Sequence, residues 1–234
     1  MSELDRFDAQ RFSPHPALAL LLAAAVTLFI GVSLLGIDTA RGVGLAAPNP
    51  SIETLTVRVS ADGCGTLRTG SGTRLGGGHI ATAAHVVGDA TTVVVSDDRG
   101  FVAEAEVVSL EAGGLDIAIL EVGVGLESVV RAFGTEHPSP VVFAGHPGGG
   151  LLRSVETEAF TVAAEAFDLE GSALLSLSDA PVEGMSGGPV VDDHGRLLGV
   201  VTSANTVNST GLAVPVVELE ELLERGVVDS VGCR

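Results

Sequence analysis

Short runs of apolar and β-branched residues, interrupted by glycine, aspartate and proline, dominate the chain beyond residue 51. Runs of this length and composition predict β-strands. The first series covers residues 54–60, 65–75, 79–83, 91–96, 101–110 and 116–122, and the second covers residues 129–133, 141–145, 151–163, 173–178, 189–191, 197–203 and 212–215. Two sets of about six strands with turn residues between them favour a β-sandwich or a β-barrel.

Two segments show patterns that predict helices. In residues 216–225 the apolar side chains Val217, Leu219, Leu222 and Leu223 recur among glutamates, which predicts a short C-terminal amphipathic helix. Residues 17–37 contain no charged side chain. As a helix they would span roughly 31 Å, which is enough to cross the hydrocarbon core of a bilayer.

The apolar segment 17–37 has three interpretations: a transmembrane helix, a cleaved signal peptide or a buried core helix. A signal peptide is disfavoured because its apolar region has about 7–15 residues and follows a basic region, whereas residues 1–16 carry three acids and two arginines. We therefore expect residues 1–16 to form a cytoplasmic tail, 17–37 a transmembrane helix and 38–51 a linker.

The net charge argues against a nucleic-acid partner, and the spacing of the histidines argues against a metal. The net charge is −18, and all 12 basic residues are arginine. A surface this acidic cannot neutralise phosphates, so no nucleic-acid partner is expected. His79, His137, His146 and His194 are scattered without metal-ligand spacing, so neither a metal site nor another cofactor is predicted.

Three polar residues lie at the ends of strand-like segments, in the order His, Asp, Ser. His85 ends Thr82-Ala83-Ala84-His85, Asp116 precedes an apolar run, and Ser186 lies in Gly184-Met185-Ser186-Gly187-Gly188-Pro189. A serine hydroxyl becomes a useful nucleophile when a neighbouring base accepts its proton and a carboxylate orients that base. This order predicts a nucleophilic hydrolase, with Asp97 and Asp98 as alternative carboxylates.

The glycines around Ser186 permit a tight turn in which backbone N–H groups converge. The N–H groups of Gly184 and Ser186 are the predicted donors to a developing oxyanion. The segment also matches the G-x-S-x-G elbow of α/β hydrolases. That fold requires alternating strands and helices and the order Ser, acid, His, and this chain has neither.

Cys64 and Cys233 are the two cysteines of the chain. A bridge between them would close a loop of about 170 residues and would stabilise the fold by several kcal/mol. Such a bridge persists in an oxidising compartment. Two unrelated free thiols are the alternative.

Several of these segments together resemble trypsin-like serine proteases. They are Gly70-Ser71-Gly72, Ala81-Thr82-Ala83-Ala84-His85-Val86-Val87, Asp116-Ile117-Ala118-Ile119-Leu120, Ala144-Gly145-His146-Pro147-Gly148 and the segment from Gly184 to Val191. The body is most similar to the bacterial HtrA branch and, within it, to membrane-anchored actinobacterial periplasmic proteases. The resemblance implies an all-β protease domain at residues 52–234. It would contain two six-stranded antiparallel barrels, at about residues 52–125 and 126–216, and a helix at 216–225.

The resemblance also implies roles for individual residues. His85 would be the general base, Asp116 its orienting acid and Ser186 the nucleophile, with Gly184 and Ser186 forming the oxyanion hole and Cys64 bonded to Cys233. The specificity pocket would comprise Ala180, Thr202, Ser203, Ala204, Gly211 and Ala213. None of these is acidic, so cleavage after small or medium apolar side chains is expected; Asp179 is one position away from Ala180.

Two departures from the family pattern stand out. Met185 occupies the position where the family usually has Asp or Asn. Activation by a new N-terminal amine, which would pair with an acid at this position, therefore receives no support. No PDZ domain follows the terminal helix in this sequence, so peptide sensing by such a module is not expected.

We therefore predict a serine endopeptidase of protein or peptide substrates, held in the cell membrane by one span, with its protease domain periplasmic or extracellular. A catalytically silent peptide-binding pseudoprotease or envelope scaffold is the alternative. The sequence predicts no particular oligomeric state.

Overall fold

A computed structural model of the chain describes residues 51–111, 114–123, 140–163, 173–205 and 208–225. The predicted tail, the apolar segment 17–37, nearly all of the linker, the strand predicted at 129–133 and Cys233 lie outside these ranges. Within the described ranges, no helix combines the length and the apolar character that a membrane span requires.

The first half of the described chain forms a closed six-stranded antiparallel barrel in the order β1-β2-β3-β6-β5-β4. A short helix, α1 (Ile52–Leu55), precedes it, and α2 (Ala84–Val87) follows its third strand. The strands are β1 (Thr56–Gly63), β2 (Thr66–Gly76), β3 (His79–Ala83), β4 (Thr92–Ser96), β5 (Val102–Glu111) and β6 (Ile117–Glu121). Alternate side chains of β1, namely Val57, Val59 and Ala61, point into the barrel core, as a period of two requires. The prediction of a first barrel is confirmed.

The second half forms a seven-stranded sheet in the order β8-β7-β11-β12-β13-β10-β9. Its strands are β7 (Val141–Gly145), β8 (Arg153–Thr157), β9 (Ala159–Ala163), β10 (Ala173–Leu177), β11 (Pro189–Asp192), β12 (Leu197–Asn205) and β13 (Thr210–Pro215). The helix α3 (Val216–Arg225) ends the described chain. Since no pairing closes this sheet in the described residues, the prediction of two closed six-stranded barrels is correct for the first and differs for the second.

The second sheet differs because the single strand predicted at residues 151–163 is divided at Glu158. Its first part, β8, pairs with β7, and its second part, β9, pairs with β10. These two strands are the opposite edges of the sheet and are separated by one residue. Glu158 belongs to neither strand, and its carbonyl accepts a hydrogen bond from Ser178 N at 2.9 Å. The sheet is therefore strongly curved.

The helix α3 has the predicted bounds, and its predicted apolar side is correct at Leu219, Leu222 and Leu223 but wrong at Val217. Val216, Leu219 and Leu222 are buried against residues of both β-units, whereas Val217 is 55% exposed. Positions 216, 219 and 222 follow the spacing of one helix face, which position 217 does not share. The same apolar cluster includes Ile117 and Ile119 of the barrel, so it joins barrel, sheet and helix.

Candidate active site

His85 and Asp116 meet just beyond the ends of two paired strands. Strands β3 and β6 run antiparallel with Ala83 opposite Ile117, so the residues that follow β3 and precede β6 lie side by side. The Asp116 carboxylate binds His85 twice: Oδ2 lies 2.6 Å from Nδ1, and Oδ1 accepts the backbone N–H of His85 at 2.9 Å. The Asp116 carbonyl also accepts the N–H of Ala84 at 3.0 Å.

This double contact fixes the imidazole ring. Because a carboxylate is an acceptor, His85 Nδ1 donates to it, and Nε2 of the neutral ring is left as a proton acceptor. Asp116 adopts a left-handed backbone conformation with φ of 56°, which residues other than glycine rarely do. Such strain occurs mainly where the surrounding structure holds a functional geometry. The pair has the arrangement of a general base and its orienting acid.

The two alternative carboxylates are engaged elsewhere. Asp97 forms an ion pair with Arg74 at 2.7 Å, and Asp98 forms one with Arg58 at 2.9 Å. Within the described chain, neither carboxylate forms a hydrogen bond to His85. Asp116 is therefore the carboxylate that the fold brings to His85.

Ser186 lies in a tight loop between β10 and β11, and every carbonyl from Glu183 to Gly187 in this loop accepts a hydrogen bond. Gly184 and Gly187 have φ of 90° and 92°, which glycine adopts without strain. The five bonds run from Gly148 N to Glu183 O (2.9 Å), Ser71 Oγ to Gly184 O (2.7 Å), Gly188 N to Met185 O (3.1 Å), Ser71 N to Ser186 O (2.8 Å) and Thr73 Oγ1 to Gly187 O (2.9 Å).

The N–H groups of the same loop divide into engaged and free donors. Met185 N donates to Val182 O at 3.0 Å, Gly187 N to Val201 O at 2.6 Å, and Gly188 N to Met185 O. The N–H groups of Gly184 and Ser186 have no acceptor among the described residues. These two free N–H groups, which lie on either side of the Gly184–Met185 peptide unit, can together bind an oxyanion. They are the two donors that the sequence singled out.

Met185 is buried, with 1% of its surface exposed, in an apolar cluster that includes Phe143, Val190 and Val201. The loop is thus anchored by a hydrophobic side chain directly before Ser186. Gly145 allows the close packing, because a Cβ at that position would lie 2.7 Å from Met185 Cα. The apolar anchor and the hydrogen-bonded carbonyls hold the loop together.

The nucleophile loop approaches the His85 helix across Gly70. A Cβ at Gly70 would lie 2.7 Å from a methyl group of Val86, which follows His85, and 3.2 Å from the Ser186 carbonyl oxygen. Within the described chain, the Ser186 hydroxyl forms no hydrogen bond to His85. The structure thus brings His85 into contact with Asp116. The side chain of Val86 and the backbone of Ser186 both approach Gly70.

The residues predicted to form the specificity pocket have different exposures. Ser203 and Ala204 are exposed, Ala180 is half-buried, and Thr202, Gly211 and Ala213 are buried. A Cβ at Gly211 would lie 2.6 Å from Pro181 Cδ, so Gly211 has no room for a side chain. The Asp179 carboxylate accepts a hydrogen bond from the Thr157 hydroxyl at 2.8 Å, which ties it to the end of β8.

The described chain contains one group of side chains with metal-ligand proximity: Asp192, Asp193 and His194. The Asp192 carboxylate binds the Arg196 side chain and two backbone N–H groups of its turn, and His194 contacts Asp193. These contacts are typical of a hairpin turn held by an aspartate.

Sequence reasoning missed the part that Ser71 plays in this site. Ser71 is completely buried in β2, and both its hydroxyl and its N–H bind carbonyls of the Ser186 loop. The signal that was available is its position between Gly70 and Gly72, since small residues allow another backbone to approach closely.

Comparison with known families agrees with this geometry. The family described as "Trypsin-like peptidase domain" matches residues 70–200 of the chain. The chain is 31% identical over 205 residues to the serine protease Rv3671c of Mycobacterium tuberculosis, strain H37Rv, a match that covers 80% of this chain and 49% of that protein. The chain thus spans about half the length of the mycobacterial relatives that it matches.

Solved structures give the same picture of the fold. The active form of Rv3671c protease from M. tuberculosis superposes with a TM-score of 0.66 at 25% identity, covering 79% of this chain and 87% of the other. The HtrA-type protease AlgW, solved with a tripeptide, superposes with a TM-score of 0.64 at 20% identity, covering 75% and 63%. At that identity the second likeness concerns the fold alone.

Proposed function

Because this chain belongs to the family of trypsin-like peptidases, we propose that it is a serine endopeptidase acting through Ser186, His85 and Asp116. One observation carries the proposal. From Gly184 to Gly188, the N–H groups left without an acceptor in the described chain are those of Gly184 and Ser186. A loop whose carbonyls are all engaged while two flanking donors stay free is organised to bind a negative oxygen.

The residues divide the reaction as follows. Ser186 Oγ attacks the carbonyl carbon of the scissile peptide bond, and His85 Nε2 takes the hydroxyl proton. The carbonyl oxygen becomes an oxyanion held by the N–H groups of Gly184 and Ser186. His85 then gives its proton to the leaving amine, which breaks the C–N bond and leaves an acyl group on Ser186. Water, deprotonated by His85, attacks the acyl carbon; the bond from that carbon to Ser186 Oγ breaks, His85 returns the proton to Oγ, and the acid is released.

The hydrogen bond between Ser186 Oγ and His85 Nε2, which the proton transfer requires, is not formed in the described structure. Catalytic hydrogen bonds are often long or poorly aligned without substrate and tighten in the complex. His85 is already fixed by Asp116, so the adjustment falls to the Ser186 side chain, which is half-buried on a backbone held at every carbonyl. Rotation about one side-chain bond would direct its hydroxyl to Nε2.

We propose that the enzyme prefers small or medium apolar side chains at the position before the cleaved bond. The six predicted pocket residues carry no charge. Asp179, the acid next to Ala180 in the sequence, is not one of these six residues and binds the Thr157 hydroxyl at the end of β8. The buried Gly211 and its contact with Pro181 support a floor of backbone and ring atoms rather than of polar groups.

Membrane anchoring and a Cys64–Cys233 bridge remain part of the proposal. The absence of charge from residues 17–37 supports a span, which would hold the protease domain outside the cytoplasm. Cys64 lies exposed in the turn between β1 and β2, where a second chain segment could reach it. Carbonate extraction of cell membranes tests the anchor: the full chain should stay in the membrane pellet, and release into the supernatant would contradict it.

Hydrolysis of a quenched peptide library tests the activity and its preference together. The full chain in mild detergent should cleave peptides with Ala, Val or Leu before the scissile bond, and Ser186→Ala should not. Ser154→Ala, which removes an exposed hydroxyl of β8 outside the residues assigned to catalysis and binding, is the matched control and should retain turnover. Binding of the peptides without cleavage by the wild type would favour the pseudoprotease, and cleavage after Arg would contradict the preference.

A further inference from the structure

Ser71 connects the first barrel to the nucleophile loop through its side chain. It lies in the middle of β2 and has no exposed surface. Its hydroxyl lies 2.7 Å from Gly184 O and 2.8 Å from His146 N. A carbonyl can only accept and a backbone N–H can only donate. The hydroxyl therefore accepts from His146 N and donates to Gly184 O, and its proton position is fixed.

The backbone of Ser71 binds the same loop a second time. Ser71 N donates to Ser186 O at 2.8 Å, and Ser71 O accepts the Thr82 hydroxyl at 2.7 Å. One residue thus holds the carbonyls of both Gly184 and Ser186. Between these two peptide units lies the Met185–Ser186 unit, which carries the free N–H of Ser186.

The hydroxyl contact also restrains the other free donor. Gly184 has φ of 90° and no Cβ, so its flanking peptide units can rotate more easily than those of other residues. The preceding unit is held because Gly148 N binds Glu183 O at 2.9 Å, and in a trans peptide the Gly184 N–H must point the opposite way. The following unit is held at its carbonyl by Ser71 Oγ and at its N–H by Val182 O.

We propose that Ser71 is a positioning residue for the oxyanion hole: its hydroxyl, oriented by His146 N–H, fixes the Gly184 carbonyl and keeps both free N–H groups directed at the reacting carbonyl. The inference rests on the proposed function. It gives the loop a polar restraint from the first barrel, in a chain where the residue before the nucleophile is the apolar, buried Met185.

A structural role alone would have a different effect from a positioning role. If Ser71 serves only packing and folding, its loss lowers the amount of folded enzyme but leaves the turnover of each folded site unchanged. If it positions the oxyanion donors, its loss lowers kcat, because the donors act on the transition state, and leaves ground-state binding almost unchanged.

The test compares Ser71→Ala with Thr56→Val in the full chain. Thr56 is also buried in the first barrel, and its hydroxyl also donates to a backbone carbonyl, that of Ile52 at 2.6 Å, without contacting the loop. Active sites are counted by stoichiometric titration, so that kcat refers to folded enzyme. The substrate is the quenched peptide selected in the library screen, and the transition-state probe is the matching peptide aldehyde, to which Ser186 Oγ adds reversibly as a hemiacetal.

For Ser71→Ala we expect kcat to fall about 10- to 100-fold, a part of the effect of deleting an oxyanion donor outright. Aldehyde affinity should fall in proportion to kcat, while KM and the affinity for the product acid should stay within about twofold. Thr56→Val should keep wild-type kcat per site. If Ser71→Ala does not fold, Ser71→Cys, which retains a weak donor, is measured instead and should show a smaller fall of the same kind.

Three results would overturn the inference. The first is a kcat per active site within twofold of wild type for Ser71→Ala. The second is a change in KM or product affinity as large as the change in kcat. The third is an equal loss in Thr56→Val. In each case the wild type remains active, so the proposed function stands; a wild type that neither hydrolyses peptides nor binds the aldehyde contradicts the proposed function and the inference with it.

Discussion

The Asp116 carboxylate holds His85 by two bonds, one to ring Nδ1 at 2.6 Å and one to the backbone N–H at 2.9 Å. The first bond sets the tautomer of the ring, and the second sets the distance between β6 and the start of α2. Because β3 and β6 are paired next to this point, the hydrogen-bond register of the barrel determines the position of the base. Barrel pairing and catalytic geometry are thus directly linked.

Asp116→Asn should lower kcat by about 10³- to 10⁴-fold with little loss of stability. The amide N–H₂ would donate to His85 Nδ1 and force the proton onto Nε2, which could then no longer accept the Ser186 proton. Peptide turnover measured per folded molecule tests this. Asp193→Asn is the matched control, because Asp193 also contacts a histidine Nδ1, that of His194, in an exposed turn. Equal losses in both variants, or a silent Asp116→Asn, would contradict the assignment.

Met185→Asp should lower the free energy of unfolding by at least about 2 kcal/mol, since the carboxyl would lie among apolar side chains such as Phe143, Val190 and Val201. Met185→Leu, which nearly conserves volume, should cost less than about 1.5 kcal/mol. Far-UV circular dichroism suits the measurement because the chain has no Trp or Tyr. A Met185→Asp variant as stable as wild type would show that the loop has a charged partner at this position.

Stability should decrease as the pH falls below about 6.5, in part because of His146. Burial lowers the pKa of His146, and the nearby Arg58 guanidinium lowers it further, although the contact between Nδ1 and Gly150 O at 2.9 Å opposes the shift. The unfolded chain therefore takes up a proton at a higher pH than the folded chain. The loss begins near the ordinary pKa of histidine and ends once the pH is below the lowered pKa of the folded state.

His146→Asn tests this dependence, because the Asn amide can still donate to Gly150 O but does not titrate. The free energy of unfolding of the variant should fall less steeply between pH 6.5 and 5, by up to about 1.4 kcal/mol per pH unit. The neighbouring Asp98 does not account for the same range, since the hydrogen bond from Arg58 lowers its pKa. Identical pH slopes for wild type and variant would contradict the assignment.

Peptide mapping without reductant should recover residues 64 and 233 in one cross-linked peptide. Reduction, or Cys64→Ser, should then lower the free energy of unfolding by about 2–5 kcal/mol, because the bridge would restrict the unfolded chain over most of the domain. Alkylation of both thiols in the native protein without prior reduction would rule the bridge out.

Local sequence patterns were sufficient for most strands but not for the closure of the second sheet. β3, β7 and α3 have the predicted bounds: β3 begins after Gly78, β7 lies between Pro140 and His146, and α3 begins after Pro215. The division at Glu158 depends on which distant strands each half of the run pairs with. Similarly, the helical spacing predicts Val217 on the buried side of α3, whereas packing of the helix buries Val216.

The catalytic candidates can be predicted from the sequence because each lies in a distinctive local context. The residues that hold them in place cannot. Ser71 binds Gly184 across a separation of 113 residues, and nothing near Ser71 identifies that partner. The free N–H groups of Gly184 and Ser186 are defined by which neighbouring groups are engaged. Those engagements depend on tertiary structure, so only the glycine pattern was visible beforehand.

The most direct test of the central claim is intact-mass analysis of the full chain after treatment with a biotinylated fluorophosphonate. The account predicts one adduct per molecule, mapped by peptide sequencing to Ser186, lost in Ser186→Ala and slowed by several orders of magnitude in His85→Ala. A folded wild-type protein that takes up no probe, or an adduct that persists in Ser186→Ala, would contradict it.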